Sequence, residues 1–283
     1  MDKKQLLRLG GSAAGAVLPF WLLDLTLRAA TGCAAWYPLY AAAPNLFSLG
    51  FGALFAALCL LPRRTVGRVL YGLIYAAWAV YAVVQYGIWR IFDRFLFLSD
   101  FLFAGEGLGF AGYIRQLIDV RFALVVLLLV LWGALGVWRL PKDLPRRQVC
   151  PALVVFFALT QFVAPRLYAP VPETLDWDSW QSSGYEYERF SSSSYDLALT
   201  GPYQFVVRDA YLSFLPDADA AEKRAQIDAF FDERPAHADN EMTGLLAGKN
   251  LILVQLESVD DFVLNDENTP TLARLQREGI NFA

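Results

Sequence analysis

The sequence predicts a multi-pass α-helical membrane domain of five transmembrane helices, then a linker, then the start of an extracellular α/β domain. Hydrophobic residues make up 56% of the chain, too many for an ordinary water-soluble enzyme, and most of the excess lies within residues 1–167. The charge divides at the same place: residues 1–167 carry 16 Lys and Arg against 7 Asp and Glu, whereas residues 168–283 carry 8 against 21. Near the end, residues 249–283 follow a strand, helix, strand pattern. We therefore expect a membrane domain (1–167), a linker (168–248) and the truncated start of an α/β domain (249–283).

Five apolar stretches account for the predicted membrane domain. Their lengths are close to the ~20 residues that cross a bilayer as a helix. The first is longer than the core of a signal peptide and more spans follow it, so we expect a retained helix. The stretches cover about 9–30, 39–61, 69–89, 122–138 and 149–163.

One pair of charged residues interrupts the first span. Asp24 and Arg28 are four residues apart and therefore lie on one face of the helix. We expect the two to neutralise each other near the outer interface, or Arg28 to extend its charged group to that interface. A role in gripping a lipid head group is the alternative.

The distribution of Lys and Arg predicts the orientation of the chain. The N-terminus and the second and fourth connections together hold ten of these residues, and the alternate connections hold four. Because basic residues are retained in the cytoplasm, the N-terminus is expected inside the cell. Five spans then place everything after Arg166 outside it.

The third connection, residues 90–121, alternates aromatic and charged residues and contains a glycine-rich stretch. It is too apolar for water and too charged to span the bilayer, so we expect two short helices in the outer interface with a glycine bend between them. They are either an interfacial anchor or a shelf that presents a lipid head group. Arg94 and Arg115 are the candidate shelf residues.

The predicted linker changes character along its length. Prolines and a serine run predict an extended start without a core of its own for residues 168–194. Residues 195–214 keep helical spacing, and residues 217–231 predict an amphipathic helix. The apolar side chains expected on the buried face of that helix are Ile227, Phe230 and Phe231.

The stretch that follows predicts a strand with a carboxylate at its end. Residues 251–256 form a short, mostly apolar run that stops at Glu257. Thr269 and Pro270 then mark the start of a helix, and Gly279 marks its end. In a parallel α/β sheet, ligands gather outside the carboxyl ends of the strands, which is where Glu257 stands. A solvated strand terminus fits the same pattern.

The run Lys249–Ser258, with sequence KNLILVQLES, resembles the start of the extracellular domain of lipoteichoic acid synthases, as do residues 261–264 and 269–275. These enzymes are membrane-anchored glycerophosphotransferases of the alkaline phosphatase and sulfatase superfamily. The resemblance covers about the last 35 residues, and five spans before an external domain also match the family. In that family the Glu of the QLES motif binds the catalytic divalent metal, so the resemblance implies that Glu257 is a metal ligand.

The resemblance also implies a reaction. A Thr activated by Mn²⁺ or Mg²⁺ would take glycerophosphate from phosphatidylglycerol and pass it to an extracytoplasmic polymer or glycan, at the surface of a bacterial membrane. The family's nucleophile follows the second strand, so it is expected after Ala283. Ser258 and Thr269 are instead interpreted as a hydrogen-bonding strand end and a helix cap. His237, the only His, lies in a polar stretch and is expected at the surface.

A lone strand, helix and second strand cannot bury an apolar run on both faces, because parallel strands need neighbours and covering helices. We therefore expect that the chain stops within its catalytic domain and is inactive as it stands.

Other functions stay open at this point. One alternative is another enzyme of the superfamily, such as a phosphoethanolamine transferase or a sulfatase-like hydrolase. Another is a non-enzymatic membrane anchor or partner subunit. The acidic C-terminal part argues against nucleic acid as a partner. The three cysteines lie in or beside apolar spans and indicate no disulfide framework.

Overall fold

The computed structural model describes residues 3–103, 112, 117–140, 145–214, 219–234, 238–257 and 259–279. It divides into two units, Met1–Ala218 and Asp219–Ala283, which we describe separately. Across these described residues the regular secondary structure is helical, and no strand is formed.

Five helices of the first unit are long and apolar enough to cross a membrane, which confirms a long apolar helix at each predicted stretch. Four of them contain one predicted stretch whole and begin or end beyond it, whereas the helix of the second stretch, Ala42–Leu60, lies within the predicted 39–61. A four-residue helix, α2 (Cys33–Trp36), follows the first of them. The five are α1 (Lys3–Ala30), α3 (Ala42–Leu60), α4 (Arg64–Phe92), α5 (Val120–Arg139) and α6 (Arg146–Val163).

Small residues allow these helices to approach closely, as is usual where helices pack in a membrane. A Cβ on Gly52 of α3 would lie 2.9 Å from the carbonyl oxygen of Val17 in α1. Tyrosine hydroxyls then join the helices through their backbones. Tyr71 of α4 donates to the carbonyl of Ala16 at 2.9 Å, and Tyr75 donates to that of Leu129 at 2.9 Å.

The bundle has one arginine-rich end, which we call the basic end. There α3 and α5 finish and α4 and α6 begin, and Arg146 Nη1 lies 3.5 Å from the carbonyl oxygen of Leu61. Its arginines are Arg63, Arg64, Arg68, Arg139, Arg146 and Arg147. The opposite end is where α1 and α4 finish.

The first unit also contains two helices from the predicted linker. These are α7 (Ser183–Arg189) and α8 (Ser193–Phe214). Helix α8 breaks at Gly201, where φ is +67° and ψ is 168°, and Pro202 follows. Few residues other than glycine adopt that backbone conformation.

The first half of α8 is buried against the long helices. Tyr203 is fully buried, its hydroxyl donates to the carbonyl of Phe20 at 2.7 Å, and its ring centroid lies 4.6 Å from that of Trp78. The helix predicted for residues 195–214 is confirmed. The extended start expected for residues 168–194 is wrong over Ser183–Arg189, which form α7, where Ser183 and Glu186 are buried within this unit. Their polar atoms have partners inside the protein, so a polar composition did not require contact with water.

The third connection differs from the predicted interfacial helix. After α4, Asp93 adopts a left-handed conformation and a 3₁₀ turn follows at Leu98–Phe103. The chain between them is tied to α8: the Phe95 N–H donates to Ser193 Oγ at 3.0 Å, and the Leu98 N–H donates to Asp209 at 2.6 Å. These bonds satisfy the backbone outside a helix. The predicted second helix lies mostly outside the described residues.

The second unit contains α9 (Ala220–Asp232), a 3₁₀ turn (Asp261–Val263) and α10 (Pro270–Glu278). Both predicted helices are confirmed. The predicted buried face of α9 is wrong, because its apolar side chains are more than half exposed, although the rings of Phe230 and Phe231 contact each other and the guanidinium of Arg234. The exposed apolar side chains are Ile227 at 56%, Phe230 at 57% and Phe231 at 59%.

Two further expectations for the second unit differ in detail. Thr269 precedes α10, but its hydroxyl donates to the carbonyl of Val263 at 2.8 Å rather than capping the helix. Residues 251–256 are not hydrogen-bonded into a sheet, because no neighbouring strand is present among the described residues. An unpaired strand has no ladder to stabilise it.

Candidate functional site

The predicted metal ligand, Glu257, lies in the second unit at the end of the extended segment, and its side chain is exposed. Within the part of the chain that the structure describes, no group of three His, Cys, Asp or Glu side chains could hold a metal ion. Mg²⁺ and Mn²⁺ need several oxygen ligands, so one exposed carboxylate does not make a site for either ion. The assignment of Glu257 to a metal stays a prediction.

The acidic side chains after Glu257 do not converge on it. Asp266 forms a two-point ion pair with Arg277 of α10, at 2.9 and 3.0 Å. Asp260 and Glu267 are exposed. Ser258 and His237 lie outside the described residues.

The two predicted shelf residues cannot be compared, because Arg115 lies outside the described residues. Arg94 is exposed and lies 3.5 Å from Asp100 in a salt bridge at the opposite end of the first unit. Exposed ion pairs are weak, so the Arg94 guanidinium remains accessible to an anionic group from solvent or lipid.

Arg90 is held more firmly at the same end. It makes a two-point contact with Asp119 at 2.9 and 3.0 Å and donates to the carbonyl of Leu117 at 2.7 Å. Asp119 caps α5 by accepting from the Phe122 N–H at 2.8 Å. That bond, and then the bond from Arg90, lower the pKa of the Asp119 carboxyl. This contact joins the ends of α4 and α5.

The Asp24–Arg28 pair lies inside the first unit. Both side chains are fully buried, with Arg28 Nε 2.7 Å from Asp24 Oδ1 and Nη2 2.6 Å from Oδ2. Nη2 also donates to Asn45 Oδ1 at 3.2 Å, and Asn45 is in turn held by Trp21. Mutual neutralisation is therefore confirmed. Extension of Arg28 to the interface is wrong, because its charge is satisfied inside the bundle.

The break in α8 lies against this pair. A Cβ on Gly201 would lie 2.9 Å from Asp24 Oδ1 and 2.9 Å from Ser48 Oγ. Gly201 is therefore required both for its backbone conformation and for the space. The first unit thus has a polar centre formed by α1, α3 and α8, which we define as Asp24, Arg28, Asn45, Ser48 and Gly201.

A second buried polar group lies where α7 meets α8. Glu186 is 1% exposed and accepts from the N–H groups of Ser191 and Ser192 at 3.0 and 2.6 Å. It therefore provides an acceptor for backbone donors that precede α8. Asp196 is fully buried one turn further on. Burial, and then the negative charge of Glu186, raise the pKa of the Asp196 carboxyl to about 9, while Arg208 opposes the shift. Asp196 is therefore protonated at neutral pH.

Sequence reasoning missed Glu186, Asp196 and Gly201. The serine run before Asp196 is a helix-start signal, and Gly201–Pro202 is a break signal inside a helical pattern. Both signals were present in the sequence. Their burial depends on contacts distant in sequence, which no local pattern contains.

Comparison of the chain with protein-family models, with curated proteins and with solved structures found no match.

Proposed function

We propose that this protein is a membrane-anchored transferase similar to lipoteichoic acid synthases, which moves glycerophosphate from phosphatidylglycerol to an extracytoplasmic acceptor. The observation that carries the proposal is the KNLILVQLES run, which ends in an exposed carboxylate and follows an anchor of five long apolar helices. In this proposal the N-terminus lies in the cytoplasm and Glu257 lies outside the cell.

The exposure of the extended segment supports an incomplete sheet. Four consecutive apolar side chains that point to both sides of an extended chain are expected only where a strand is covered on both faces. In this structure they are largely exposed: Leu251 82%, Ile252 85%, Leu253 84% and Val254 67%. We assign them to the first strand of an α/β catalytic domain that requires further strands.

The residues take limited roles in this proposal. Glu257 would supply one ligand to Mn²⁺ or Mg²⁺, and Arg94, with Arg115, would contact the lipid head group. Because the described residues do not form a metal site by themselves, we derive no reaction step through the ion. The nucleophile is likewise assigned to a Thr after Ala283.

The first test of the proposal is a carboxylate substitution in a full-length protein reconstituted with phosphatidylglycerol. We expect Glu257→Ala to reduce Mn²⁺-dependent release of diacylglycerol at least about 100-fold, because loss of a charged metal ligand weakens the site. Glu267→Ala removes another exposed carboxylate from the same unit and is the matched control, expected to retain activity. Equal activity of the two variants would refute the metal role.

The same preparation separates the alternatives. Release of diacylglycerol from phosphatidylethanolamine instead would indicate a phosphoethanolamine transferase. A folded full-length protein that acts on neither lipid would favour the anchor or partner subunit.

A further inference from the structure

A groove runs along the surface of the first unit between α4 and α5. Its volume is about 900 Å³, and nearly all of its lining is apolar. Small residues line part of it, namely Gly72, Ala76 and Ala79 of α4 and Gly133 and Ala134 of α5. Most of the remaining lining is valine, with Tyr75 and Leu129.

One end of the groove is charged. Arg68, in the first turns of α4, lines the groove at the basic end together with Trp138 of α5. The Nε of Arg68 is buried and has no hydrogen-bond partner within the described part of the chain. A buried donor without a partner is unfavourable, so this position favours an anionic acceptor from outside the protein.

The length and shape of the groove fit an extended hydrocarbon chain. Its lining reaches from Arg68 to Val84, which is about 24 Å along a helix that rises ~1.5 Å per residue. A helix of a second copy would instead bury the Arg68 charge against apolar side chains.

We propose that this groove binds one acyl chain of an anionic phospholipid, with its phosphate accepting a hydrogen bond from Arg68 Nε. The lipid belongs to the leaflet at the basic end, which is the cytoplasmic leaflet in the predicted orientation. This site is separate from the proposed reaction, whose lipid lies in the other leaflet. The bound lipid would fill the space between α4 and α5 as a structural component.

Native mass spectrometry of the full 283-residue chain tests whether the charge of Arg68 retains an anionic lipid. The chain is released from nanodiscs of equal dioleoyl-phosphatidylserine and dioleoyl-phosphatidylcholine, two lipids that differ only in the head group. We expect one retained phosphatidylserine, and about a fivefold loss of it in Arg68→Gln. Arg64→Gln removes an exposed arginine from the same helix outside the groove, and is expected to retain the lipid. Equal retention by Arg68→Gln and the unmodified chain, or equal loss in both variants, would overturn the site.

A second pair of variants tests whether lipid binding needs the open space of the groove. Ala76→Trp fills the groove, whereas Ala77→Trp adds the same side chain to the neighbouring exposed position, which does not line it. We expect only Ala76→Trp to lose the retained lipid, with matching thermal unfolding of both variants as the folding control. Retention of the lipid by folded Ala76→Trp would overturn the proposal. So would a dimer mass that Ala76→Trp abolishes, since a second copy would then occupy the groove.

Discussion

Arg28 shows how a full charge is accommodated inside a bundle of apolar helices. It is paired at two points with Asp24, and Asn45 satisfies a further donor. Pairing and hydrogen bonding offset the cost of removing both ions from water. A substitution that removes one of the two ions leaves the other buried and unpaired, which destabilises the folded state.

We therefore predict that Arg28→Met destabilises the first unit by about 3–5 kcal/mol, because Asp24 is left buried and unpaired. The double variant Asp24→Leu and Arg28→Met removes both charges and is expected to recover most of that loss. Thermal unfolding in detergent, followed by tryptophan fluorescence, measures both. A double variant no more stable than the single one would show that the pair does not act through charge.

The raised pKa of the Asp196 carboxyl predicts that the stability of the first unit depends on pH. Its folded pKa of about 9 lies above its ordinary value, so the folded state holds the proton more tightly. The stabilisation is complete below pH ~4 and is lost as pH rises towards 9. Asp196→Asn keeps a neutral side chain, so we expect it to raise the unfolding temperature at pH 8 more than at pH 5.

The control for Asp196 is Asp228→Asn, a change at an exposed carboxylate of α9. It should leave the unfolding temperature nearly constant at both pH values. An equal shift at pH 5 and pH 8 in Asp196→Asn would mean that the buried carboxyl is not protonated in the folded protein. The charged groups that face Asp196 are Glu186 of α7 and Arg208 of α8.

At the scale of whole elements, the extended segment and α8 should differ in local stability. Lys249 is exposed at the start of the extended segment, whereas Arg208 lies within α8 and donates to the carbonyl of Tyr187 at 2.6 Å. Proteolysis requires local opening, which costs little where few contacts are broken. We predict that trypsin cuts this chain after Lys249 at least about tenfold faster than after Arg208.

Mass spectrometry of the tryptic time course measures both bonds, and Lys249→Gln removes only the first cut. Comparable rates at the two sites would contradict the exposed state of residues 249–257.

The five long helices could be predicted from sequence because burial in a bilayer needs an apolar stretch of a set length. Helix α8 could be predicted as a helix but not as part of the core. Tyr203 carries a polar hydroxyl, and only a partner distant in sequence, the Phe20 carbonyl, makes its burial favourable. The extended segment was predicted as a strand from its apolar run, but a strand also depends on neighbours, which the pattern of one segment does not specify.

At the scale of the whole molecule, the proposed function depends on the orientation of the chain in the membrane, because the proposed reaction needs the second unit outside the cell. The basic end carries most of the arginines that set the prediction. The three native cysteines are buried, so single introduced cysteines can be labelled against a low background. Tyr40 is 89% exposed at the opposite end, and Thr65 is exposed at the basic end.

We predict that a membrane-impermeant maleimide labels Tyr40→Cys in intact cells and labels Thr65→Cys only after permeabilisation. The unmodified chain is the control for reaction of the buried thiols. Each variant should be labelled fully once the membrane is opened, which shows that both introduced thiols are reactive. Labelling of Thr65→Cys in intact cells would show that the chain has the opposite orientation. It would place Glu257 in the cytoplasm, away from an extracytoplasmic acceptor, and the proposed function would fail even if the groove between α4 and α5 held its lipid.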